Sequence, residues 1–187
     1  SQSDATRGAE LARQKSLWLK ELAPVARANV CPMRPERVVQ ELNQFVDAKT
    51  LIVTDASYST GWAMSQMEAP VAGRFMLSPR GTASIGWGLP AAIGAKLADP
   101  ARDVICVTGD GGFGYVINEL ETAARYKVNL LVVVFNNATL GFQRHWEEKA
   151  LGRVMDCDFL DVDYSEVSRA LKGGGERVTD PQHLAAA

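Results

Sequence analysis

Asp110 and Asn137 are the residues whose types and spacing could do chemistry. Asp110 lies in Gly109-Asp110-Gly111-Gly112, straight after the β-branched apolar run 104–108, and Asn137 follows the apolar run 130–135. Parallel strands joined by a crossover end on the same edge of a sheet, so residues 27 apart in sequence can meet there. A carboxylate, an amide oxygen and a turn carbonyl such as that of Thr139 form a hard oxygen-donor set. Magnesium takes such a set and completes its octahedron with phosphate oxygens and water. The 109–112 segment reads as a tight loop opening a helix, whose free N–H groups and positive dipole end favour an anion at the same spot. No lysine accompanies it, which excludes the usual P-loop and leaves the positive charge to a metal ion.

Gly109, Gly111 and Gly114 also spell the dinucleotide pattern G-x-G-x-x-G. That pattern wants an acidic residue about 20 positions on to hold a ribose hydroxyl, whereas the second strand here ends in Asn136-Asn137. A bare carboxylate at position 110 would also repel a diphosphate. Each half of the motif has a bland reading, Asp110 as a helix cap and Asn136-Asn137 as a turn. Jointly, at matching strand ends, the metal reading is preferred.

The elements that must position these residues follow from periodicity. Pro35 suits the first turn of a helix whose apolar positions are Val38, Val39, Leu42, Phe45 and Val46. Short strands are expected at 51–54 and 75–77, separated by a polar loop at 55–60. A small-residue helix is expected from about Ser84 to Leu97, and a strand at 104–108. A helix at 116–126 with Ile117, Leu120 and Ala124 on one face, and a strand at 130–135, come next. A helix at 161–171 and a strand at 176–178 complete the pattern. Strands apolar throughout belong to a parallel sheet covered on both faces, so the fold class is doubly wound α/β. Residues 1–29 read as a linker carrying one helix around Leu17, Trp18 and Leu22, and 30–187 as the domain. The final helix reads as cut short at the C-terminus, and Ala185 to Ala187 as an appended remnant.

The bulk properties narrow the partners. With 187 residues, 47% hydrophobic, the chain suits one core-bearing domain. Its 20 basic and 22 acidic residues are interspersed, so neither a nucleic-acid nor a polybasic membrane footprint is present. Cys31, Cys106 and Cys157 lie in unrelated settings, which disfavours a disulfide framework. With no apolar run long enough to span a bilayer and no hydrophobic signal core, a cytoplasmic location is expected.

Gly-Asp-Gly at 109–111, residues 112–135, then Asn136-Asn137 resembles the signature of thiamine diphosphate (ThDP) enzymes. Asn136-Asn137-x-x-x-Gly141 with Trp146, and Gly86-x-Gly88-Leu89-Pro90-Ala91-Ala92-Ile93-Gly94, are similar to the acetolactate synthase branch. The resemblance implies the ThDP-binding fold, ThDP and Mg2+ as cofactors, and Asp110, Asn137 and the Thr139 carbonyl as metal ligands. It implies cofactor contacts from Gly109, Gly111, Gly112, Leu140 and Gly141. Ile85 matches the bulky side chain that bends the cofactor, the Ala83 carbonyl would accept its amino group, and Ser84 lies between them. Ser57, Ser59 and Thr60 occupy a loop where the family places a diphosphate contact. Here the sequence departs from the Gly-Gln-His-Gln of acetolactate synthases, and Gly112 stands where serine is common. Phe142, Gln143 and Trp146 are candidates for the substrate pocket. His145 and His183 read as solvent-facing.

By the same resemblance the activity is decarboxylation or carboligation of a small 2-oxo acid. The needed partner is a pyrimidine-binding domain, of the same or a neighbouring polypeptide, that supplies a glutamate; the full enzyme would be a homodimer or homotetramer. A 2-oxo acid decarboxylase or related lyase domain, or a noncatalytic ThDP-binding module, stays open at this point.

Overall fold

The computed structural model describes residues 2–187. They fall into two compact units, one formed by the chain up to Gln44 with Val178–Ala187, the other by Phe45–Arg177.

In the first unit, helix α1 (Gln2–Ala26) is a single 25-residue helix and largely exposed. Helix α2 (Pro35–Leu42) starts on Pro35, whose missing N–H costs nothing in a first turn. It ends at Leu42, so Phe45 and Val46, assigned above to its apolar face, lie beyond it. Arg37 pairs with Glu41 at 2.5 Å and also donates to the Pro181 carbonyl at 3.4 Å, and the Cys31 thiol reaches the Thr179 carbonyl at 3.3 Å. These contacts hold the C-terminal turn, where Asp180 caps a short 3-10 helix at Pro181–His183.

The second unit contains strand β1 (Thr50–Thr54), helix α3 (Tyr58–Gln66), β2 (Met76–Leu77), α4 (Gly88–Ala98) and β3 (Asp103–Gly109). Helices α5 (Asp110–Val116) and α6 (Glu119–Arg125), β4 (Leu131–Phe135), α7 (Gly141–Leu151) and α8 (Tyr164–Ala170) follow. The four strands are all parallel, in the order β2-β1-β3-β4, with Val53 opposite Cys106 and Cys106 opposite Val132. Side chains alternate across a strand. Leu51, Val53, Val104 and Cys106 therefore pack against Ala92 of α4 on one face. The Thr60 hydroxyl of α3 donates to Thr54 Oγ1 at 3.1 Å on the other. The doubly wound α/β architecture follows.

Further expectations change, the first being the polar loop at 55–60, which turns into α3 from Tyr58 onward because Ser59, Thr60 and Ala63 bury small or polar side chains that leave no apolar stripe. Gly109 ends β3 and Asp110 is already the first residue of α5, because an extended Gly109 (φ −94°, ψ 163°) feeds the strand directly into the helix. The helix expected at 116–126 is two, α5 and α6, parted at Ile117 and Asn118. The strand expected at 176–178 does not form: the Gly174 and Gly175 carbonyls are taken by Ser168 and Arg169 of α8, which fold this glycine-rich stretch onto a helix. No helix among the described residues is long and apolar enough to cross a membrane.

Leu89 is fully buried with Ile93 and Phe113, where α4 meets the helices after β3. Leu89→Ala is expected to cost about 2–5 kcal/mol. Leu97→Ala, at a half-exposed position of the same helix, should stay within about 0.5 kcal/mol. Urea unfolding of both variants checks the difference.

Candidate functional site

In a parallel sheet of this order the ligand crevice opens beyond the carboxyl ends of β1 and β3, where the connections diverge to opposite faces. Asp55 leaves β1 at that point and is 0% exposed. Its carboxylate accepts from the Ala56 N–H at 2.6 Å, from the Thr108 hydroxyl of β3 at 3.1 Å, and from the Gly86 N–H at 3.0 and 3.1 Å. Two glycines make the socket: a Cβ at Gly88 would stand 2.9 Å from the Asp55 Cβ, and one at Gly112 would stand 2.6 Å from Oδ2. One side chain thus ties β1, β3, the first helix after β3 and the 83–87 loop together. Sequence reasoning passed over Asp55; the available signal was an acid closing a strand, with glycines on the two segments it must touch.

The residues after Asp55 divide. Ser59 and Thr60 are buried, their hydroxyls donating to the Ala56 carbonyl (3.0 Å) and to Thr54 (3.1 Å). Ser57 and Tyr58 are exposed. Ser57 sits at φ 76°, ψ −154°, a region that suits glycine and strains an L side chain. In the 83–87 loop, Ala83 and Ser84 are exposed and Ile85 is half-buried.

Asp110 is 3% exposed, and its two carboxylate oxygens differ. Oδ1 accepts from the Gly111 N–H at 2.8 Å, whereas Oδ2 is buried with no hydrogen-bond partner among the described residues. Burial pushes this carboxyl above the ordinary carboxylate range. The N–H groups of Gly111, Ala138, Asn137 and Thr139 pull the other way. The turn after β4 lies beside the segment that Asp110 opens. Leu140 closes the contact, since a Cβ at Gly111 would lie 2.6 Å from its Cδ2.

The turn itself is tightly held. Asn136 accepts from the Ala138 N–H at 3.2 Å and donates to the Val162 carbonyl at 3.0 Å, fixing Ala138 at a positive φ of 54°. The Phe159 N–H donates to the Ala138 carbonyl at 2.7 Å, and Thr139 and Leu140 both donate to the Cys157 carbonyl. The Thr139 carbonyl accepts from the Gly141 N–H at 2.9 Å, which leaves its second lone pair. Asn137 remains exposed beside this turn. No group of three His, Cys, Asp or Glu converges among the described residues. The donor set here has one carboxylate, an amide and a carbonyl, the mix that magnesium accepts. The buried unpartnered Oδ2 of Asp110 fits a cation at this point.

Of the three candidates on α7, Gln143 points to structure: its amide donates to Glu147 at 2.8 Å. Glu147 is the buried residue of this helix and also accepts from the Met155 N–H (2.7 Å) and the Cys157 thiol (3.4 Å). The Gln143 amide and then the Met155 N–H hold its carboxyl below the usual range. Glu147, which sequence reasoning also missed, thereby positions the segment that clamps Thr139 and Leu140. Phe142 and Trp146 are 57% and 54% exposed. Phe142 meets the Tyr58 ring edge-on at 5.5 Å, and the Tyr58 hydroxyl bonds His145 Nδ1 at 2.8 Å. His145 is thus exposed and partnered.

Residues 55–187 match the family described as thiamine pyrophosphate enzyme, C-terminal TPP binding domain. The chain belongs to this family. It is 36% identical over 139 residues to a probable acetolactate synthase large subunit of Methanococcus aeolicus, covering 72% of this chain and 23% of that protein. The acetolactate synthase large subunit of Lactococcus lactis is 35% identical over 131 residues, 70% of this chain and 23% of its own length. The acetolactate synthase of Bacillus subtilis is 32% identical over 151 residues, 81% and 26% respectively. The chain therefore spans about a quarter of the length of these relatives. As a TPP-binding domain of the acetolactate synthase-like kind, it carries the matched region from Asp55 itself onward.

Asp55→Ala strands the Gly86, Ala56 and Thr108 donors in a buried socket. It is expected to lower stability by about 3 kcal/mol, read by chemical denaturation. Ser57→Gly should move the same midpoint the other way, by about 1 kcal/mol, through relief of backbone strain.

Proposed function

We propose that this domain binds the diphosphate of ThDP through Mg2+ in an acetolactate synthase-like enzyme acting on small 2-oxo acids, by decarboxylation and carboligation. The observation that carries the reading is the buried Asp110 with one unpartnered oxygen, packed against the turn that bears Asn137 and Thr139. Asp110 Oδ2, the Asn137 amide oxygen and the Thr139 carbonyl would hold the cation. Gly109, Gly111, Gly112, Leu140 and Gly141 would bring backbone close to the diphosphate, with the exposed Ser57 ahead of α3 as a further contact, whereas Ser59 and Thr60 are buried and bonded within the fold and support that segment from inside. The bound ThDP supplies the electron sink for bond cleavage next to a keto group.

The remaining roles belong to the chain. Ile85, on the loop that Asp55 anchors through Gly86, props the cofactor, and Ala83 and Ser84 line its approach. Phe142 and Trp146 present apolar surface beside the site for the substrate side chain, and Gln143 supports that wall through Glu147. Residues 30–187 are the functional domain and 1–29 its connecting segment. A pyrimidine-binding domain, from the same or a neighbouring polypeptide in a cytoplasmic homodimer or homotetramer, completes the active centre with the glutamate that this fold does not provide.

Calorimetry of the chain with ThDP and Mg2+ together is expected to show weak binding that neither gives alone, and a decarboxylation assay with pyruvate no turnover. Tight binding without a partner would point to a noncatalytic module, and substantial turnover would contradict the two-domain requirement. Because Asp110 is held up in the folded chain, its protonated form contributes stability that is fully present below the ordinary carboxylate range. That contribution is lost as pH rises through the raised value. Asp110→Asn, which removes the desolvated charge, should therefore raise the metal-free unfolding midpoint at pH 7 while abolishing the Mg2+-dependent heat.

A further inference from the structure

The charges around the proposed cation do not balance. A diphosphate ester carries about three negative charges near neutrality, and Asp110 adds one, against two on the metal. Another donor, preferably cationic, belongs at the outer phosphate. The guanidinium groups on neighbouring segments are engaged: Arg144 pairs with Asp158 at 2.5 Å and Arg177 with Asp161 at 2.6 Å. No lysine lies in the 109–112 segment.

His145 is placed to answer this. It stands on the second turn of α7, an 11-residue helix that starts at Gly141, four residues after Asn137. The point where a Cβ would sit on Gly141 lies 3.3 Å from the Asn137 amide nitrogen and 3.5 Å from the Tyr58 ring. Tyr58 therefore flanks the metal-ligand turn directly, and its hydroxyl holds His145 Nδ1 at 2.8 Å. When the phenol donates to Nδ1 the neutral ring carries its proton on Nε2, and the charged ring carries one there as well, so in both of these states Nε2–H is the ring's remaining donor. The charged groups about it are Arg144, already paired, and the opposed Glu148 and Lys149 on its own helix. Across from it, α3 presents the uncharged Tyr58.

We propose that His145, oriented by Tyr58, is a binding residue for the outer phosphate of a diphosphate held at the Asp110 and Asn137 cation. The proposal rests on the ThDP reading above and adds a residue to it.

The test is calorimetry on the full 187-residue chain, titrated with inorganic diphosphate in excess Mg2+ and, separately, with Mn2+ alone. His145→Gln is expected to weaken diphosphate by about tenfold, with Mn2+ affinity unchanged. His145→Lys, which restores a cationic donor on a different frame, should recover most of the loss, and Tyr58→Phe should fall between. Equal diphosphate affinity in wild type and His145→Gln overturns the proposal, as does a loss that His145→Lys leaves in place, which would mark a purely structural role. Wild-type chain that binds Mn2+ and diphosphate in no combination would overturn the ThDP reading itself, and this proposal with it.

Discussion

Two buried carboxylates sit on one sheet edge, and their difference organises everything else. Asp55 is satisfied by protein donors from three segments, so it acts as a knot: the ends of β1 and β3, the 83–87 loop and α5 share its position. Asp110 is buried almost as deeply, yet one of its oxygens has no protein partner among the described residues. An ionised group left short of a partner in a desolvated place costs stability, and such a cost is tolerated where a ligand offsets it. The fold thus uses one acid to build the crevice, while the other keeps an oxygen that the proposed cation would take.

Asn137 lies on a turn that a chain would not hold in place unaided. Ala138 takes a positive φ, and five hydrogen bonds between the turn and the returning segment 155–162 oppose its relaxation. That segment depends in turn on Glu147, which gathers Gln143, Met155 and Cys157 around one buried carboxylate. The geometry of this turn is therefore set at a distance by α7, which also carries the exposed Phe142, His145 and Trp146. One helix thus holds the Asn137 turn through a buried acid and exposes aromatic groups on its other side.

The parts legible in the sequence were those whose residues repeat with the period of their element. The unbroken apolar runs 51–53 and 104–107 announce strands covered on both faces, and Leu89 with Ile93 announces the inner side of α4. The expectation that Asp110 and Asn137 lie on one sheet edge followed from strand ends and parallel topology, and β3 and β4 do run parallel in neighbouring positions. Helix α3 was hidden because its buried positions are Ser59, Thr60 and Ala63, small or polar residues that show no apolar stripe. Helix α7 was hidden for a similar reason, since its buried residue is the acid Glu147. The roles of Asp55 and the Tyr58–His145 pair depend on contacts across 31 to 87 residues, which no local pattern encodes.

The deciding property is whether the side chains of Asp110 and Asn137 share one divalent ion. Anomalous diffraction from crystals of this chain soaked with Mn2+ and ThDP measures that directly. A single peak at about 2.1 Å from Asp110 Oδ2, the Asn137 amide oxygen and the Thr139 carbonyl is the predicted result. A peak elsewhere, or diphosphate density with Asp110 turned away from any metal, would contradict it.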